Sequence, residues 1–227
     1  VLRCWNGSYG KVKSINVNVG PMSKPCNLPP ENVPGDMNWE MWLGPAPWAP
    51  YNSKRCSGNF STSGNSWRSY IDYSGGGMTD WGAHHFGGAT FAVDVRELQP
   101  KEVILDEKDG KKFVSLRYPN GMEITHNKPG VGQMHVGRDN EQREGKEVPT
   151  YAGSGGITGD FIDCVKTRNK PFRDIEYAIN TMAVPHLATI AYKLNRSLKW
   201  DAAKQQFIDD AEADRLRNRA RREPWQI

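Results

Sequence analysis

The sequence lacks several features that would assign it to a class at once. Its four cysteines, Cys4, Cys26, Cys56 and Cys164, show no Cys-x-x-Cys spacing, which argues against a zinc ribbon. No hydrophobic run approaches the roughly 20 residues that a membrane-spanning helix needs. The net charge of +4 is mild and its basic part is concentrated at residues 215–225, so we expect no nucleic-acid partner.

Nucleotide-binding motifs are also missing. The sequence contains no G-x-x-x-x-G-K-[ST], no G-x-S-x-G and no H-E-x-x-H. The glycines of residues 152–161 are spaced one residue too widely for G-x-G-x-x-G, and neither a buried strand nor a parallel βαβ alternation surrounds them. We interpret this segment as a loop that enters a helix, and expect no cofactor-binding half in this chain.

The patterns that are present predict an α+β fold. Alternation at residues 11–19 and 101–137 indicates short strands, with Asn120-Gly121 as a hairpin signal between two of them. One of these strands places Met122, Ile124 and His126 on one face, so we interpret His126 as an interior residue. The last third is helical, with an apolar stripe at residues 161–165 and a longer helix at residues 174–194. Pro185 is expected to kink or split that longer helix. We therefore predict an open, largely antiparallel sheet with helices packed on one face.

The chain is long enough for one large domain, and we predict a single domain over residues 1–227. A long loop at about 20–66, rich in tryptophan and proline, and a C-terminal arm at about 201–227 would extend from it. Loops of that length inside a domain are usually functional. Aromatic rings in and after this loop can stack on the C–H faces of a sugar. Our candidates for lining a sugar site are Trp48, Tyr51, Trp67, Arg68 and Tyr73.

A catalytic corner is predicted at residues 72–86, DYSGGGMTDWGAHHF. The three glycines allow close backbone approaches, and Thr79 or Asp80 can then cap a helix. In that helix Asp80 and His84 share one face at i and i+4, and a carboxylate beside an imidazole suits general acid–base catalysis. His85 lies about 100° around the helix and is expected to point into packing, although we retain it among the substrate-binding candidates. A plain N-terminal cap and a metal site remain alternatives, and no other metal-ligand cluster is evident.

Four segments resemble one family over nearly the whole chain: MWLGPAPWAPYN, DYSGGGMTDWGAHHF, FIDCVKTRNKP and the terminal LKWD…REPWQI. They resemble the C-terminal domain of the Gfo/Idh/MocA family, NAD(P)-dependent oxidoreductases of sugars, inositols and related polyols. The resemblance implies an open sheet with helices on one face and a homo-oligomer formed through the other face. It also implies that Asp80 and His84 are the aspartate and the acid/base histidine beside the substrate. Gly87 stands where the pattern often has an aspartate.

The expected function follows from that resemblance. The chain would be the substrate-side domain of an enzyme that moves hydride between a sugar, glycoside or polyol and NAD or NADP. The cofactor and the catalytic lysine would belong to an N-terminal Rossmann domain that is not in this sequence. Two alternatives stay open: a carbohydrate-binding or scaffold module without catalysis, and a metal-dependent lyase or hydrolase that acts on oxidised glycosides.

Overall fold

The computed structural model describes residues 1–56, 66–139 and 141–225. The chain divides into two compact units, the first formed by Val1–Asn18 with Ala83–Ile208 and the second by Val19–Gly82 with Asp209–Ile227. None of the helices in the described residues combines the length and the apolar character that crossing a bilayer requires.

The first unit contains an open mixed sheet. Its strands are β1 (Val12–Val17), β2 (Glu102–Lys108), β3 (Lys111–Arg117), β4 (Glu123–His126), β5 (His135–Arg138), β6 (Leu198–Asp201) and β7 (Gln206–Phe207). Among the described residues the order across this seven-stranded sheet is β5-β1-β4-β3-β2-β6-β7. The β1–β4 pair is parallel, and the other neighbouring pairs are antiparallel. The predicted largely antiparallel sheet is therefore confirmed.

The hairpin between β3 and β4 forms where the Asn-Gly signal predicts it. Tyr118 N donates to Met122 O at 2.9 Å, which closes a connection of Pro119, Asn120 and Gly121. Gly121 has φ +83°, a left-handed conformation that glycine adopts without a Cβ clash. This turn sets the register that pairs Leu116 with Ile124.

Helices cover one face of this sheet. They are α6 (Ile175–Leu194) and the first-unit part of α4 (Gly77–Ala92), whose Phe86 ring centre lies 6.1 Å from that of His126 on β4. The α6 helix packs against β2 and β3, where Val103, Val114 and Leu116 are fully buried. His126 is 4% exposed, and its Nδ1 lies 2.9 Å from the Tyr192 hydroxyl, so its predicted interior position is confirmed.

Of the two predicted helices of the last third, one differs from its sequence pattern. The α6 helix runs through Pro185 without a break, although proline cannot donate the backbone bond of the helix interior. The α5 helix (Gly156–Thr167) ends before Pro171 as expected, with Arg168 as a left-handed cap at φ 62°. Its start confirms the loop-to-helix interpretation of the glycines, because the helix begins at Gly156, directly after Gly155 in a left-handed conformation at φ 91°.

The short N-terminal helix α1 (Leu2–Trp5) completes the first unit. Its Trp5 Nε1 donates to Phe91 O at 3.0 Å, and the two rings lie 5.8 Å apart. This pair attaches the start of the chain to the C-terminal half of α4.

The second unit consists of short elements joined by long irregular segments. They are α2 (Trp39–Leu43), α3 (Ser53–Cys56), a 3-10 turn at Trp67–Ser69, the first residues of α4, and α7 (Ala211–Arg215). The C-terminal arm is fixed here by Arg222, whose Nε donates to Ala46 O and whose Nη2 donates to Glu40 O, both at 2.9 Å. Arg222 also forms an ion pair with the Glu40 carboxylate.

Candidate functional site

The glycine turn before α4 is held by close backbone contacts inside the second unit. Gly76 has φ +73°, and a Cβ there would lie 2.5 Å from Ser23 N. A Cβ on Gly77 would lie 2.9 Å from Gly20 Cα. Only glycine permits this approach, since real Cβ contacts are never so short. The turn therefore fixes where α4 begins and places Asp80 in its first turn.

Asp80 forms an ion pair with Arg68. Arg68 Nη1 donates to Asp80 Oδ2 at 2.7 Å, and the two side chains are 22% and 35% exposed. The Arg68 guanidinium also lies 5.1 Å from the centre of the Trp67 ring, within the range of a cation–π contact. Three of the predicted site residues are thus in contact with one another: the ion pair of Arg68 and Asp80, and the Trp67 ring beside the Arg68 guanidinium.

The two adjacent histidines of α4 have different surroundings. His84 is exposed and lies four positions after Asp80, the spacing that puts two side chains on one helix face. His85 is half-buried, and Gln133 Nε2 lies 2.9 Å from its Nδ1. Because an amide nitrogen can only donate, His85 Nδ1 accepts this hydrogen bond and its ring proton is on Nε2.

The aromatic loop contributes to a cluster of rings that pack on one another. Trp39 stacks on Trp42 with ring centres 4.7 Å apart, and Tyr51 meets Trp39 edge-on at 5.3 Å. Tyr73 meets Trp42 edge-on at 5.1 Å. Trp39 Nε1 donates to Ala49 O at 2.8 Å, which satisfies the indole N–H that burial would otherwise penalise.

The predicted sugar-binding residues therefore fall into separate places. Tyr51 and Tyr73 join one ring cluster, and Trp67 and Arg68 join the Asp80 group. Trp48 is 68% exposed and makes no ring contact with the part of the chain that the structure describes. A cavity of about 850 Å³ in the first unit, lined by residues such as Tyr9 and Arg138, contains none of the predicted site residues.

One buried charged residue of this region was not predicted from the sequence, because no sequence pattern indicates its burial. Arg55 in α3 is only 2% exposed, and its Nη1 donates to the Tyr73 hydroxyl at 3.1 Å. Burial raises the pKa of Tyr73, although the Arg55 guanidinium opposes that shift. Burial likewise raises the pKa of Cys26, again against the effect of Arg55.

Residues for a metal or a dinucleotide are not grouped in the described part of the chain. No set of three or more His, Cys, Asp or Glu side chains there could hold a metal ion. In the described sheet, β1 and β4 form the parallel pair. The glycine-rich segments at residues 75–77 and 152–161 do not follow a strand of a parallel βαβ unit. These residues therefore do not fit the cradle of a nicotinamide dinucleotide.

Comparison with known proteins gives one family. A family model described as "Oxidoreductase family, C-terminal alpha/beta domain" matches residues 20–125 and 141–227. No curated protein matches the sequence. A solved NAD-binding protein from Listeria innocua is similar at 14% identity and a TM-score of 0.42, covering 87% of this chain and 61% of that one. The chain thus spans less than two thirds of that protein's length.

Proposed function

The chain belongs to the Gfo/Idh/MocA oxidoreductase family as its C-terminal alpha/beta domain, and we propose that it provides the substrate side of a sugar, glycoside or polyol oxidoreductase. The preceding Rossmann domain of the full protein would hold NAD or NADP. Oxidation of an alcohol breaks a C–H and an O–H bond. In this proposal the hydride goes to the nicotinamide of the other domain, and the proton goes to a residue of this chain.

The observation that carries the proposal is the group at the first turn of α4. Asp80 there pairs with Arg68 beside Trp67, and His84 follows one turn later on the same helix. A charge-assisted hydrogen bond restricts a carboxylate more than a neutral one does. The Arg68 contact therefore supports an Asp80 held in one position rather than a carboxylate that rotates in solvent.

We assign the proton transfer to His84 and a positioning role to Asp80. A neutral imidazole can accept the hydroxyl proton during oxidation and return it during reduction, the usual role of histidine in general acid–base catalysis. Substrate contacts are assigned to Arg68, to His85 and to the rings of Trp48, Tyr51, Trp67 and Tyr73. The ring cluster supports this assignment for Tyr51 and Tyr73, because sugar C–H faces pack on aromatic surfaces.

His84→Ala in the full-length protein tests the proton transfer. We expect kcat to fall by about 10²- to 10⁴-fold, the usual contribution of a general base. The measurement is the formation of NADH or NADPH absorbance over a panel of sugars and polyols. His135→Ala is the matched control, since this histidine is also exposed but lies on β5. Unchanged turnover in His84→Ala would overturn the role of His84.

The same experiment distinguishes an oxidoreductase from the non-catalytic alternative. A carbohydrate-binding module would bind a sugar from the panel with similar affinity in the unmodified protein and in His84→Ala, and neither would reduce the cofactor. Among the described residues no observation favours the metal-dependent alternative.

A further inference from the structure

Arg55 is buried without an anionic partner. Its guanidinium hydrogen-bonds to the Tyr73 hydroxyl and lies 6.0 Å from the Tyr73 ring centre, while its Nε has no hydrogen-bond partner in the described structure. No carboxylate of the described residues forms an ion pair with it. The undescribed residues 57–65, 140 and 226–227 contain neither aspartate nor glutamate. No side-chain carboxylate outside the described region can therefore neutralise Arg55.

An uncompensated buried cation is costly. Arginine stays protonated at any physiological pH, and a buried ion loses favourable hydration that only a contacting anion and hydrogen-bond acceptors can offset. Asp72 is the carboxylate that acts on the neighbours Cys26 and Tyr73, but it lies beyond ion-pair distance of Arg55. Arg55 is thus a buried cation that no side-chain carboxylate of the described residues contacts as an ion pair.

The surroundings of Arg55 indicate what kind of molecule could supply that charge. Tyr73, whose hydroxyl accepts the hydrogen bond of the guanidinium, is only half-buried. Cys26, on whose thiol the guanidinium acts electrostatically, is also half-buried. Tyr73 also belongs to the ring cluster with Trp42, Trp39 and Tyr51. A ligand that combines a sugar ring with an acidic group would place one part on the rings and the other on Arg55.

We propose that Arg55 binds the carboxylate of an acidic sugar, a uronate or an aldonate, which takes the place of the Tyr73 hydroxyl at the guanidinium. A carboxylate matches the planar fork of arginine in a bidentate arrangement. One negative charge neutralises one guanidinium, whereas a phosphate dianion would leave an excess buried charge. This inference rests on the proposed function, because it specifies the class of carbohydrate that the same protein would use.

The test compares ligand binding to the full-length protein with and without the guanidinium. The thermal midpoint and the heat of binding are measured for D-glucuronate, D-glucose and glucose 6-phosphate at constant ionic strength, without nicotinamide cofactor. We expect glucuronate to bind and raise the midpoint more than either of the other sugars. Arg55→Met should weaken glucuronate binding by about 10- to 100-fold, the effect of losing a charged hydrogen bond, and leave glucose unchanged.

Arg55→Lys and Arg219→Met are the controls. The lysine keeps the charge without the fork, so it should retain part of the preference for glucuronate. Arg219 is exposed in the same unit, so its methionine variant should bind like the unmodified protein. Equal binding of glucuronate and glucose, stronger binding of glucose 6-phosphate, or an intact glucuronate preference in Arg55→Met would each overturn the proposal.

A structural role for Arg55 gives a different result. Replacing an uncompensated buried charge by methionine should keep or raise the thermal midpoint of the ligand-free protein. A marked fall of that midpoint together with no glucuronate preference in the unmodified protein would refute the inference. This binding test does not measure cofactor reduction. Its failure can therefore be distinguished from a failure of the proposed redox activity.

Discussion

Glu31 holds the segment that leads into Arg55. Its Oε2 accepts from Ser53 N at 2.7 Å and its Oε1 accepts from Asn52 Nδ2 at 3.0 Å, at the start of α3. The Ser53 backbone N–H is the main reason why the pKa of Glu31 lies below its ordinary value of 4.5. A carboxyl whose pKa is lowered on folding stabilises the fold above its unfolded pKa, and this stabilisation disappears as the pH falls through the folded pKa.

Glu31→Gln should therefore reduce the sensitivity of the protein to acid. The thermal midpoint of the unmodified protein should fall more between pH 7 and pH 3.5 than that of the variant, because the variant has no carboxyl to protonate. Differential scanning calorimetry at both pH values measures this. Glu107→Gln is the control, since Glu107 is exposed on β2 and makes no side-chain bond in the described structure. An equal loss of midpoint in both variants contradicts the role of Glu31.

Sequence spacing at the residue scale predicts partners along one helix but not partners across loops. The i, i+4 relation of Asp80 and His84 follows from helix geometry alone. The Arg68 contact of Asp80 does not, because it depends on how the 3-10 turn meets α4. The burial of Arg55 is harder still to predict from the sequence. Its helix, α3, has only four residues, which is too short for a periodic pattern that would indicate a buried side.

At the scale of elements, α5 shows where periodicity stops being informative. Its predicted apolar stripe at residues 161–165 includes Phe161 and Val165, and such a stripe is usually the packed side of a helix. The structure leaves these two side chains 62% and 47% exposed. A period of 3.6 residues identifies an apolar face but not the surface that would cover it. The helix limits were predictable because Pro171 and the preceding glycines are local signals.

The Phe161→Ala variant tests whether this apolar face of α5 is exposed. The free energy of unfolding should change by no more than about 0.5 kcal/mol, as for other surface substitutions. Phe86→Ala, at a fully buried position of α4, is the matched control and should lose about 3–5 kcal/mol. Urea denaturation followed by circular dichroism gives both values. A loss for Phe161→Ala as large as for Phe86→Ala would contradict the exposed face.

For the whole molecule, alternation along the strands predicted the sheet and its covered face. Residues on one side, such as Val103 and Ile124, are fully buried, as the pattern requires. The parallel pairing of β1 with β4 was not predictable, because the strands are more than 100 residues apart and alternation carries no information on strand order. The contribution of residues 209–227 to the second unit also depends on long-range contacts such as those of Arg222.

The sheet face opposite α6 is where the family resemblance implies a homo-oligomer, and Ile104 provides a test of it. Ile104 pairs with Ser115 on that face and is half-buried. If two copies associate there, Ile104→Arg places a charge in the interface, so light scattering should show a shift from oligomer to monomer. Ile157→Arg is the control, because it adds the same charge on the exposed face of α5. An unchanged mass for Ile104→Arg, with dissociation by Ile157→Arg, would place the interface on the helices and contradict association through the sheet.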